Sequence, residues 1–155
     1  MNYAEEIGKF LIEKDLKIST VESCTGGLLS SKLIDISGSS AYISLNLITY
    51  SNEAKSKLLN VKLDKDGAVS ENCAYQMAKG LQELTNSDIC ISTTGIAGPT
   101  GGTPEKPVGL MYSTIFTKEK AQTYKIFVDS TLDRIQIKEK FVEIVLKNIY
   151  EFLLR

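Results

Sequence analysis

The chain has 155 residues, 43% hydrophobic and 24% charged, with 18 basic against 19 acidic residues and a formal charge of −1. That describes one globular domain, and so even a charge balance offers no basic face to a nucleic acid bound through counterion release. Histidine is absent, and Cys24, Cys73 and Cys90 have no paired spacing, so Ser-His and Cys-His pairs are excluded and zinc would find only scattered thiols and carboxylates.

Residues 3–14 place Ile7, Phe10 and Leu11 on one stripe with Glu5, Glu6 and Lys9 outside it, which predicts a helix. The opening MNYAEEIGKFL therefore reads as an amphipathic helix and not as a secretory leader. Residues 18–21 predict a short strand that runs into ESCTGG, Glu22 to Gly27. From 26 to 36 the pattern is helical, ended by Gly38 and a Ser-rich loop. The β-branched and aromatic run YISLNLITY, 42–50, predicts a strand, and Ser51 then caps a helix whose first turn is Asn52 to Lys55.

Ser70 caps a second helix running to about Asn86, and residues 88–94 predict a strand bounded by Gly95. The segment 95–107 carries four of the eleven glycines and all three prolines, and is the long irregular loop. Residues 108–117 and 121–128 read as a hairpin, and 132–154 as a long amphipathic helix. No repeat or linker divides the chain. The reading is a single α/β domain over 1–155, a three-layer arrangement with a mixed β-sheet and helices on both faces. No apolar run approaches the ~20 residues that span a bilayer, and three unpaired cysteines fit a reducing cytoplasm.

Ligands of open α/β sheets sit where strands lead into helix N-termini, and three such junctions here are chemically loaded: 22–27, 50–55 and 93–102. The first has neither a Walker loop nor a GxGxxG fingerprint. Its N–H groups at Thr25, Gly26 and Gly27 suit either an anion or the oxyanion formed when Ser23 attacks a carbonyl. Without histidine, Ser23 needs a lysine held neutral as its base. Lys55 is the best placed, one helical turn past Ser51, with Tyr50 able to pass a proton or to fix the amine. Cys24 is the rival nucleophile. Neighbours on an extended segment point opposite ways, and cysteine favours burial, so Cys24 is expected inward. Cys73 and Cys90 are expected in the core.

ESCTGG (22–27), GSSA (38–41), TYSNEAK (49–55) and GIAGPTGGTPEKPVG (95–109) stand in that order. Together they resemble the CinA C-terminal domain, the nicotinamide-nucleotide amidase (NMN deamidase) family in stand-alone form, over almost the whole chain. The resemblance implies hydrolysis of the carboxamide of nicotinamide mononucleotide to nicotinic acid mononucleotide and ammonia, with no metal or other cofactor. It implies Ser23 as nucleophile with Tyr50 and Lys55 as its catalytic partners. Substrate contacts are expected from Thr25, Gly26, Gly27, Thr94, Gly95, Gly98 and Arg134.

Many relatives have serine where Thr94 stands. Their Gly-Asp-Arg segment fits Asp133-Arg134 only with a few extra residues before it. The molybdopterin-binding-like module of many relatives has no counterpart in this sequence. A small-molecule nucleotide is the expected partner, with no nucleic acid or membrane, and a homodimer is the expected assembly. Two other readings stand beside the amidase: a nucleotide-binding or regulatory module without turnover, and a DNA-associated competence factor, which the missing basic patch disfavours.

Overall fold

The computed structural model describes residues 1–155. Helix α1 (Tyr3–Lys14) forms where the apolar stripe predicts it, capped by the Asn2 side chain, which accepts from the Glu5 N–H. Strand β1 (Ile18–Glu22) is buried at every residue, as a strand covered on both faces must be. Helix α2 (Leu28–Ile34) begins two residues later than the sequence pattern suggests. Gly26 and Gly27 take φ of +59° and +101°, a left-handed turn in which a right-handed helix cannot start. Nor does Gly38 terminate α2, which has already ended at Ile34; Gly38 opens a 3₁₀ turn, Ser39–Ala41, in the stretch that reads as loop.

Strand β2 (Ile43–Ile48) is shorter than its apolar run at both ends. Tyr42 closes the preceding turn and donates its hydroxyl to the Leu33 carbonyl, while Thr49 and Tyr50 lead on to α3 (Asn52–Leu59). Ser51 caps α3 and Ser70 caps α4 (Glu71–Thr85), both as predicted. Then follow β3 (Ile89–Gly95), β4 (Leu110–Thr117) and β5 (Ala121–Phe127). The last helix, α5 (Arg134–Leu154), starts later than residue 132 because Asp133 and Gln136 form a capping box there.

The five strands make one sheet in the order β2-β1-β3-β4-β5. The first three are parallel, β4 runs antiparallel to β3, and β5 antiparallel to β4. On one face α1, α2 and α5 cover Ile18, Ile89, Ile91, Met111, Ile115 and Ile126. On the other, α3 and α4 press Leu59, Cys73, Met77 and Leu81 against Val21 and Cys90. Each fully buried Leu or Ile in these layers contributes about 1.5–3 kcal/mol, which fixes the strand ends relative to one another. The mixed sheet with helices on both faces is the predicted architecture. No helix is long and apolar enough to cross a membrane.

Because β1, β2 and β3 are parallel, their carboxyl ends share one edge of the sheet. The chain leaves β1 for β2 through α2 on one face, then returns to β3 through α3 and α4 on the other. The winding therefore reverses between β1 and β3, where an open sheet leaves a crevice for a ligand. Ser23, Tyr50 and Gly95 are the residues at those strand ends.

Candidate active site

Side chains alternate between faces at the end of β1, so Glu22 and Ser23 part company. Glu22 turns toward α2, fully buried. Its carboxylate accepts from the Leu29 and Ser30 N–H groups at 2.9 and 3.0 Å, and from the Thr25 and Ser30 hydroxyls at 2.5 and 2.6 Å. A carboxylate on the first amides of a helix complements its positive end. The start of α2 is thus already occupied by an anion of the protein itself. Sequence reasoning missed this role; the available signal is an acid closing a strand just before the turn into a helix.

Ser23 turns to the opposite face, toward α3, and is 8% exposed. Its Oγ lies 3.1 Å from Lys55 Nζ, and the same Nζ is 3.1 Å from the Tyr50 carbonyl oxygen. Lys55 is 1% exposed and makes no salt bridge. The Ser51 cap sets the first turn of α3 and so aims Lys55 back over the strand ends. Burial pushes the Lys55 ammonium below the usual lysine range. Only the thiols of Cys73 and Cys24 oppose that shift, and they do so as thiolates; burial raises both, Cys24 to about 12. They stay protonated near neutral pH, so desolvation of the amine prevails. A neutral amine in this position donates one N–H to Tyr50 and keeps its lone pair for the Ser23 hydroxyl.

Cys24 lies inward, packed in the larger core cluster as expected, with burial and then the Glu22 charge raising its thiol. Cys73 and Cys90 sit in the smaller cluster. Tyr50 is 60% exposed; its hydroxyl accepts from Arg134 Nη2 at 3.1 Å, and Arg134 Nη1 donates to the Gly98 carbonyl at 2.6 Å. Cys24, Tyr50, Gly95, Gly98 and Arg134 line a cavity of about 190 Å³. A larger cavity of about 610 Å³ lies between the start of α1 and α5. Neither Ser23 nor Lys55 lines it or the smaller cavity, which is reached by Cys24, the sequence neighbour of Ser23, and by Tyr50, whose carbonyl meets Lys55.

Two expected contacts are used differently. The Gly26 N–H donates to the Ser23 carbonyl, closing the turn, so it is not free for an oxyanion; the Thr25 and Gly27 N–H groups make no hydrogen bond. Thr94 is buried with its hydroxyl on the Ala68 carbonyl and does not line the cavity. Its neighbour Thr93, not singled out from sequence, instead holds the turn. The Thr93 carbonyl accepts the Ser23 N–H at 3.1 Å, and its hydroxyl is 2.8 Å from that of Thr25. No group of three or more His, Cys, Asp or Glu side chains is arranged to hold a metal ion.

The family model described as CinA C-terminal domain matches residues 1–153. The chain belongs to the CinA C-terminal domain family. It is 47% identical over 158 residues to a CinA-like protein of Chloroherpeton thalassium, covering 99% of this chain and 38% of that protein. A CinA-like protein of Shewanella pealeana is 52% identical over 118 residues, 74% of this chain and 28% of its own length. The chain therefore spans about a third of the length of the curated relatives it matches. Among solved structures, the competence/damage inducible protein of Agrobacterium tumefaciens superimposes with a TM-score of 0.86 at 34% identity, over 95% of this chain and 93% of that one. Competence damage-inducible protein A of Klebsiella pneumoniae gives 0.92 at 29% identity, over 99% and 96%. These CinA relatives share the open five-stranded sheet described above.

Proposed function

We propose that this CinA domain is a nicotinamide-nucleotide amidase that uses Ser23 as nucleophile and Lys55 as base. The observation that supports this reading is the 3.1 Å approach of Ser23 Oγ to a fully buried lysine amine with no carboxylate partner. The Ser23 hydroxyl proton passes to the Lys55 lone pair as Oγ bonds to the carboxamide carbon of nicotinamide mononucleotide. The displaced electron pair rests on the former carbonyl oxygen, held by the free Thr25 and Gly27 N–H groups. When the intermediate collapses the C–N bond breaks, Lys55 returns its proton to the departing nitrogen, and ammonia leaves. Water then gives Lys55 a proton as its oxygen bonds to the acyl carbon. On collapse the C–Oγ bond breaks, Lys55 returns that proton to Ser23 Oγ, and nicotinic acid mononucleotide is released.

Tyr50 serves through two atoms: its carbonyl orients the lysine and its hydroxyl is held by Arg134. Arg134 uses two of five N–H donors on Tyr50 and Gly98, leaving three for the substrate phosphate, with Gly95 and Gly98 as the wall beside it. The test is to incubate purified, EDTA-treated protein with nicotinamide mononucleotide and assay ammonia. Stoichiometric ammonia and acid from wild type and none from Ser23→Ala is the expected result. Activity that disappears on chelation and returns with a divalent ion overturns the mechanism. Binding of the nucleotide without ammonia release would make the domain a nucleotide-binding module.

A further inference from the structure

Among all buried side-chain oxygens and nitrogens, only Thr49 Oγ1 has no hydrogen-bond partner. The residue is fully buried, and an orphaned hydroxyl there carries a desolvation cost of about 1–3 kcal/mol. Its position is specific. Paired strands β1 and β2 place Glu22 beside Ile48, and the ladder continues as the Thr49 N–H donates to the Glu22 carbonyl at 2.9 Å. Extended by one step past the ends of both strands, the same register brings Thr49 next to Ser23. Leu47, two residues earlier, packs on the α3 and α4 side, and alternation puts Thr49 on that same face. The orphan therefore faces the side of the sheet that carries Ser23 and Lys55.

Lys55 has the complementary shortage. A protonated amine carries three donors, and its Nζ has two partners, the Tyr50 carbonyl and Ser23 Oγ. Once Lys55 has taken the serine proton, its third N–H lacks an acceptor. The titratable groups that bear on it are the Cys24 thiol beside β1 and the Cys73 thiol of α4, while the Glu22 carboxylate is turned to the opposite face and saturated by its four donors.

We propose that the Thr49 hydroxyl is a positioning residue for Lys55, accepting the third N–H of the ammonium that forms when Ser23 gives up its proton. The inference rests on the Ser–Lys reading of the site. Thr49 makes no bond in the resting amine and one in the ammonium, so it favours the state formed during attack more than the state before it.

The experiment is a titration of Lys55 by NMR on protein labelled at lysine Cε, with the signal assigned by its loss in Lys55→Arg. It is run on wild type, Thr49→Val, Thr49→Ser and Thr49→Ala, with a thermal melt on each. Thr49→Val keeps the shape and removes the acceptor, and it is expected to lower the Lys55 titration by about half a pH unit or more. Thr49→Ala should lower it equally should the valine variant not fold, and Thr49→Ser should restore it. The melting temperature of Thr49→Val should not fall, since no resting hydrogen bond is lost. A titration unmoved in the variants lacking the hydroxyl overturns the proposal, as does a shift that serine fails to reverse. The titration does not depend on turnover, so a shift supports the contact even in a protein that releases no ammonia. An unmoved titration removes it even in one that does.

Discussion

Glu22 and Lys55 are two fully buried ionisable side chains near the end of β1, and the protein treats them in opposite ways. The carboxylate receives four donors and no cation; the amine receives two partners and no anion. A saturated buried charge is a structural element, because every lone pair facing protein has its partner. An undersupplied one prefers to be neutral, and a neutral amine beside a hydroxyl is a base. The neighbours Glu22 and Ser23 thus face opposite sides of the sheet, one carrying a saturated carboxylate against α2, the other meeting the under-partnered Lys55 amine of α3.

The largest effect that would break this contrast is expected at the nucleophile. Ser23→Ala should lower kcat by about 10³ or more in the ammonia assay and leave the fold intact. Cys24→Ser should keep most of the activity, because the Cys24 thiol is pushed up to about 12 and faces the core. The reverse pattern would move the chemistry to the thiol.

Stability should change in opposite directions at the two ionisable residues. Glu22→Gln sets an amide NH₂ among four donors and should lower stability by about 2 kcal/mol or more in chemical denaturation. Lys55→Met removes a buried amine with no anionic partner, and near neutral pH it should raise stability by roughly 1 kcal/mol or more while abolishing turnover. The lysine's folded value lies below its unfolded one. Its penalty is therefore complete below the folded value and fades as pH rises from there toward the unfolded value of about 10.4. The advantage of Lys55→Met should shrink over that window. A variant that is less stable than wild type near neutral pH would show that Lys55 is a satisfied structural cation.

The smallest effect is expected at Tyr50→Phe. The carbonyl that holds Lys55 remains, and only the hydroxyl that accepts from Arg134 is lost. A few-fold rise in KM with kcat nearly unchanged would separate the positioning role from a proton-transfer role, which would instead lower kcat by about 10² or more.

Much of this was legible in the sequence, for local reasons. The Ser51 and Ser70 caps and the helical stripe of α1 act within a few residues, and the ordered motifs named Ser23, Tyr50 and Lys55 together. The partners that complete the site lie far along the chain. Thr93 meets Ser23 and Thr25 because β3 pairs with β1, and Glu22 reaches across the glycine turn to Leu29 and Ser30. Thr49 matters only through the register of two parallel strands. The Gly26 N–H, by contrast, is taken by a carbonyl only three residues earlier, that of Ser23, and is decided by the conformation of the turn.

The central claim is that Lys55 works as a neutral amine on Ser23, and the pH dependence of ammonia release from nicotinamide mononucleotide tests it most directly. With a neutral amine as base, kcat/KM should rise with pH through a single ionisation below the ordinary lysine value of about 10.4 and then level off. Lys55→Arg should be about as inactive as Lys55→Met across the range, since a guanidinium keeps its charge and cannot accept the serine proton. A wild-type profile without that ionisation, or wild-type turnover in Lys55→Arg, would contradict it.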